Sequence, residues 1–216
     1  NFFGNLYKKD KRIFYKKYEI YINAVADILN YVGININTVP VLDVRRKKSH
    51  NIIGDRSFSE NPKIVSELGK ICMKSYANYK IACVIKHIPG HGLSKFDTHH
   101  KKSIVKLQKS KLIKNDFKPF KLCNSLFAMT AHIIYSTYDT KNPATHSKII
   151  INDVIRKEIN FKGILISDDI SMKSLKYKIE TNAMKALNAG CNLILHCNGK
   201  MREMRKLSKV IPKIDN

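Results

Sequence analysis

Three short stretches of this 216-residue chain hold side chains able to move protons or carry negative charge to a reacting centre. Lys86-His87-Ile88-Pro89-Gly90-His91-Gly92 leads into Asp97-Thr98-His99. Ile166-Ser167-Asp168-Asp169-Ile170-Ser171-Met172 sets two carboxylates side by side, and Ile53-Gly54-Asp55-Arg56-Ser57-Phe58 offers a guanidinium. Imidazole titrates near neutral pH, so a histidine held by an aspartate two residues away can give and take a proton. The same pair can also be a hydrogen bond that orders a turn. Asp168-Asp169 can be catalytic carboxylates, magnesium ligands or a helix N-cap. Arg56 can bridge to Asp55 or Glu60, and His132 by itself reads as a core histidine. His87 and His91 are four apart, a zinc-like spacing, but Pro89-Gly90 rules out a regular helix presenting both. No metal is expected.

The elements that must position these residues alternate. Residues 15–32 carry Tyr18, Tyr21, Val25, Ile28, Leu29 and Val32 at three-and-four spacing and stop at Gly33, which predicts an amphipathic helix. A short strand over 36–42 follows, then a helix opened by Asn61-Pro62, with proline suited to the first helical position. The apolar run Ile81–Ile85 predicts a strand buried on both faces. Helices near 115–124, 152–160 and 181–189 alternate with strands at 126–129, 163–166 and 193–195. Five helix–strand units imply a parallel α/β sheet in one domain spanning 1–216. Four of the five strands end in chemically capable residues: Asp43, Lys86-His87, His132 and Asp168. Both a (β/α)8 barrel and a doubly wound sheet gather ligands at that end. Residues 89–110 are expected to form a long polar loop over it.

The net charge of +23 raises nucleic acid and anionic membranes as partners. Only seven of the 40 basic residues are arginine, however, and the lysines are scattered in pairs rather than interleaved with aromatics. Non-specific polyanion attraction at low salt is expected, without dedicated nucleic-acid binding. No apolar run is long enough to span a membrane. Five dispersed cysteines with no CxxC pair read as reduced core residues of a cytoplasmic protein.

Taken together, residues 34–44, Gly54–Phe58, Lys86–Gly92, Asp97-Thr98-His99, Thr130-Ala131-His132 and Ser167–Met172 resemble the β-N-acetylhexosaminidases of glycoside hydrolase family 3, in the family's order. The resemblance implies an α/β (β/α)8 TIM barrel, present here as the C-terminal five or so units. It also implies retaining hydrolysis of a terminal β-linked N-acetylglucosamine, without metal or organic cofactor. Asp168 would be the nucleophile, and His99, oriented by Asp97, the acid and base. Arg56, Lys86 and His87 would hold sugar hydroxyls, with His132 and Met172 lining the pocket and Asp169 in a supporting role. The implied substrate is an N-acetylglucosaminyl muropeptide of cell-wall recycling, handled in the cytoplasm by a monomer; transfer to phosphate is the variant chemistry an imidazole acid/base would tolerate.

The sequence departs from the family in two ways. Threonine stands between Asp97 and His99 where serine is usual, and the first three barrel strands have no counterpart before residue 34. The expectation is an N-terminally incomplete barrel whose piece alone would be unstable and inactive, since open sheet edges are a liability. The competing readings are an inactive relative of the same family and a basic nucleic-acid-binding protein.

Overall fold

The structure, a computed structural model, describes residues 1–46, 51, 53–94 and 103–213. Helix α1 (Phe2–Lys9) and helix α2 (Lys11–Tyr31) meet at Asp10, whose side chain caps α2 by accepting from the Ile13 N–H at 3.0 Å. Phe14, Tyr18, Ile22 and Ala26 recur every fourth residue and are buried, so α2 turns one stripe inward. Phe14 and Tyr18 stack, and this stripe packs with Leu68, Cys72 and Tyr76 of α3 (Pro62–Ala77). As expected, Pro62 opens α3, with Asn61 as its cap.

The strands are β1 (Ile36–Asn37), β2 (Ala82–Ile88), β3 (Ser103–Val105), β4 (Phe127–Thr130), β5 (Ile133–Tyr135) and β6 (Ile164–Ile166). Among the described residues the main sheet runs β1-β2-β4-β6, and every pairing in it is parallel. Parallel strands in chain order, each reached through helical segments, are the arrangement of part of a TIM-like barrel. Leu42, Ile85, Ala128 and Leu165 form a fully buried core with Ile151, Val154 and Phe120 from the covering helices.

Five expectations need correction. The strand over 36–42 contracts to Ile36–Asn37, with Val41 only bridging to Lys86. The helix near 115–124 is two short ones, α4 (Lys109–Lys114) and α5 (Lys118–Leu122), because the Asp116 and Phe117 N–H groups both turn back to the Leu112 carbonyl. The helix near 152–160 is a π-helix, Ile150–Glu158, followed by Asn160 at positive φ. The strand at 193–195 contracts to a single bridge between Leu193 and Ile166, since the Leu195 N–H goes to the Ser167 hydroxyl instead of a ladder partner. The stretch 89–110 is not all loop: β3 lies in it and pairs in parallel with β5 as a second small sheet. Helices α6 (Ile179–Ala189) and α7 (Met201–Leu207) complete the chain, with Gly190 ending α6 at φ 117° as a left-handed cap. Cys72, Cys83, Cys123 and Cys191 are buried free thiols, and Cys197 is exposed. Among the described residues no helix is long and apolar enough to cross a membrane.

Candidate active site

The C-terminal ends of β2, β4 and β6 bring Lys86-His87, His132 and Asp168 to one side of the sheet. Asp43, just beyond the Val41–Lys86 bridge, is wholly buried beneath them. Its Oδ1 accepts the backbone N–H of His87 at 3.2 Å and that of His91 at 2.6 Å, and its Oδ2 meets His87 Nδ1 at 2.7 Å. Burial alone would raise this carboxyl. The His87 ring and the His91 N–H outweigh it and hold the group below the ordinary carboxylate range.

The turn Pro89-Gly90-His91-Gly92 is clamped from several directions. Tyr135 donates its hydroxyl to the Gly90 carbonyl, and a Cβ on Gly90 would come within 3.0 Å of the Asp116 carbonyl. Glycine is required at 92, where a Cβ would overlap the Val44 carbonyl at 1.9 Å. The His91 ring is buried and cannot easily take a proton; burial, then the neighbouring His87, depress it to about 4.

Asp168 is partly exposed, and its Oδ1 accepts the Asp169 N–H at 2.8 Å. Burial works against its ionisation, but His87, His132 and the Asp169 N–H hold the carboxyl below its usual value. It is therefore an anion at neutral pH. The Asp169 carboxylate is spent on structure instead. It accepts from the Ser171 N–H and hydroxyl and from the Cys197 N–H, tying two loops together.

His132 is buried, with Nε2 3.0 Å from the Asp169 carbonyl and Nδ1 2.7 Å from Thr145 Oγ1. A carbonyl can only accept, so Nε2 carries the proton and Nδ1 accepts from Thr145, whose hydroxyl proton is shared with the Ala131 carbonyl at 3.2 Å. Thr145 then accepts from Thr130 at 2.8 Å, and Thr130 accepts the Asp168 N–H at 3.3 Å. One directed chain of hydrogen bonds therefore runs from the Asp168 backbone through two threonines and an imidazole to Asp169. Burial depresses the His132 ring against the pull of Asp168, which keeps it neutral.

Lys86 donates to Thr38 Oγ1 at 3.2 Å; burial and then Arg56 lower its ammonium, while Asp168 and Asp43 oppose them. Arg56 closes the short 3-10 turn Gly54–Arg56, which is fastened to the strand end by the Ser57 hydroxyl donating to the Asp43 carbonyl at 2.6 Å. Asp55 does not pair with Arg56 but with Arg45, at 3.0 Å. Arg56 and Lys86 share a cavity of about 460 Å³ with Thr38, Tyr18, Tyr21 and Tyr76. Met172 instead lines a separate cavity of about 340 Å³ with Ser171, Lys178 and Glu203. Asp97 and His99 lie outside the described residues. Among the described residues, no cluster of three or more histidine, cysteine or acidic groups is arranged to hold a metal.

A model of the glycosyl hydrolase family 3 N terminal domain matches residues 18–215. The chain belongs to that family. A β-hexosaminidase of Nitrosomonas eutropha is 36% identical over 180 residues, covering 81% of this chain and 51% of the relative. One from Hydrogenovibrio crunogenus is 37% identical over 191 residues, covering 86% and 53%. The native NagZ structure from Neisseria gonorrhoeae superposes on the whole chain with a TM-score of 0.88 at 30% identity, using 62% of its own length. The chain spans about half the length of the curated relatives it matches. Within this family frame, the anchoring residues Asp43, Thr130, Thr145 and Tyr135 escaped selection from sequence as site residues. Asp43 is visible as a strand-end acid and Thr130 as part of the Thr130-Ala131-His132 motif; Thr145 and Tyr135 carry no signal apart from the fold.

Proposed function

We propose that this chain carries the reacting face of a retaining β-N-acetylhexosaminidase. The observation that supports it most is Asp168: an anionic carboxylate at the end of β6, within electrostatic reach of His87, His132 and Lys86. In the reaction, an Asp168 oxygen bonds to the anomeric carbon as the glycosidic C–O bond breaks, and His99 gives its proton to the leaving oxygen. Water then attacks the same carbon, His99 takes its proton, and the ester bond to Asp168 breaks. Two inversions return the original configuration. Asp97 orients the imidazole, and Arg56, Lys86 and His87 bind sugar hydroxyls through contacts that strengthen as positive charge develops on the sugar. His132 and Met172 line the pocket, and His132 also supports Asp168 through the threonine chain. Residues 1–216 are read as a single, partial catalytic barrel domain of the longer enzyme. The muropeptide substrate, cytoplasmic setting and monomeric state rest on the family resemblance.

The test is hydrolysis of an aryl β-N-acetylglucosaminide by the full-length protein, followed by NMR for the anomer first released and mass spectrometry for a glycosyl ester on Asp168. Asp168→Ala should abolish turnover and His99→Ala should slow it. First release of the α-anomer, or turnover that survives Asp168→Ala, would rule the mechanism out.

A further inference from the structure

Asp43 takes no part in the reaction above, yet its carboxylate organises a ring that does. It is wholly buried, and among the described residues the hydrogen bonds to its carboxylate come from the Lys86–Gly92 segment: Oδ1 takes two backbone N–H groups and Oδ2 the His87 ring. An ionised carboxylate can only accept hydrogen bonds, so His87 Nδ1 must bear a proton. In the neutral ring the lone pair is then on Nε2. The ring is held from the side as well, with the His91 imidazole edge-on at a centroid distance of 5.4 Å.

We infer that Asp43 is a positioning residue of the sugar site, fixing His87 in its Nδ1–H form so that Nε2 accepts a hydrogen bond from a sugar hydroxyl. The identity of the hydroxyl donor rests on the hexosaminidase reading; the tautomer does not. The same carboxylate pins the two ends of the His-Ile-Pro-Gly-His turn, so the orientation of the ring and the path of the turn are set together. A single substitution can separate these roles. In Asp43→Asn the amide oxygen can still take the two N–H groups, but the amide nitrogen then points a donor at Nδ1. The ring must move its proton to Nε2, turning an acceptor into a donor without removing a side chain.

Nitrogen-15 NMR of histidine-labelled full chain reads this directly, with His87 assigned by the resonances lost in His87→Asn. The wild-type ring should carry its proton on Nδ1, and Asp43→Asn should carry it on Nε2 while melting cooperatively. Its kcat/KM on the aryl β-N-acetylglucosaminide should fall by about 10- to 100-fold, the loss expected when one buried hydrogen bond is mismatched. A wild-type ring protonated on Nε2 alone, or an Asp43→Asn chain with unchanged tautomer or unchanged kcat/KM, would overturn the proposal. Should the variant fail to fold, the wild-type tautomer still decides. A full-length wild-type protein that turns over no hexosaminide would instead defeat the sugar-site reading, and the two tautomers would still say whether Asp43 holds His87.

Discussion

Three aspartates show how a few hydrogen bonds set the charge of a carboxyl. Asp43 has two N–H donors and a ring nitrogen, Asp168 has an N–H and facing histidines, and both are held below the ordinary range. Asp116 has Arg46 at 3.0 Å on Oδ2, but its Oδ1 meets no hydrogen-bond partner among the described residues. Burial therefore wins over the Arg46 charge and pushes its carboxyl up to about 6. Unfolded, the same group ionises near 3.8. Between those values the folded state binds more protons than the unfolded one, so stability falls as pH rises and the full loss is present above the folded value. Two pH units of displacement correspond to about 3 kcal/mol. Asp116→Asn removes this titration. Urea midpoints measured for both chains from about pH 4 to 7 should therefore diverge, the wild type losing ground to the variant as pH rises. Curves that stay parallel would show that Asp116 titrates normally.

The elements that hold the site differ in how far the sequence reveals them. The helix of α2, the apolar run of β2, Pro62 at the head of α3 and Gly190 at the end of α6 all follow from local pattern. The buried face of α2, however, is Phe14, Tyr18, Ile22 and Ala26, whereas the expected Tyr21, Ile28 and Val32 are exposed. The residues at the C-terminal ends of the strands, Lys86-His87, His132 and Asp168, are legible for the same reason, although β2 runs on through Lys86-His87 to Ile88. What escaped depends on partners far along the chain. Asp43 is given its role by N–H groups 44 and 48 residues later, and β3 is a three-residue strand made by pairing with β5. The strand at 193–195 failed because a single serine hydroxyl took its N–H. The tight approach of one turn to another shows the same dependence on distant partners. At Gly92 the turn after β2 lies so near the backbone of Val44 that an added Cβ would sit 1.9 Å from the carbonyl oxygen and 2.8 Å from its carbon. No side chain can swing aside to relieve that overlap. Gly92→Ala should cost about 3 kcal/mol or more, at the upper end of overpacking penalties, because both turns must part. Thermal unfolding of the variant checks this, and a midpoint within a degree of wild type would mean that the two turns are not packed as described.

Over the whole molecule, 40 basic residues face 17 acidic ones, so most of the positive charge has no acidic partner. The ion pairs that do form are mainly exposed, as with Lys157–Asp153 and Lys121–Glu158, and such pairs contribute little. A net charge of +23 on one folded chain repels itself more than the expanded chain does, which lowers stability at low ionic strength. Screening shortens the reach of that repulsion from about 30 Å at 10 mM salt to about 8 Å at 150 mM. The melting temperature should therefore rise over that range, by roughly 2–4 °C for each kcal/mol of repulsion removed. Sodium chloride and choline chloride should act alike if charge screening is the cause, whereas a gain seen only with sulfate would point to surface exclusion instead. The same scattered lysines should bind heparin or duplex DNA at low salt and release both at moderate salt without sequence preference. A melting temperature that falls or stays flat as chloride is raised would mean that the lysine excess is balanced within the fold. Retention on one DNA sequence alone at high salt would revive nucleic acid as a specific partner. The two measurements together decide whether the charge of this chain is a property of its composition or of its function.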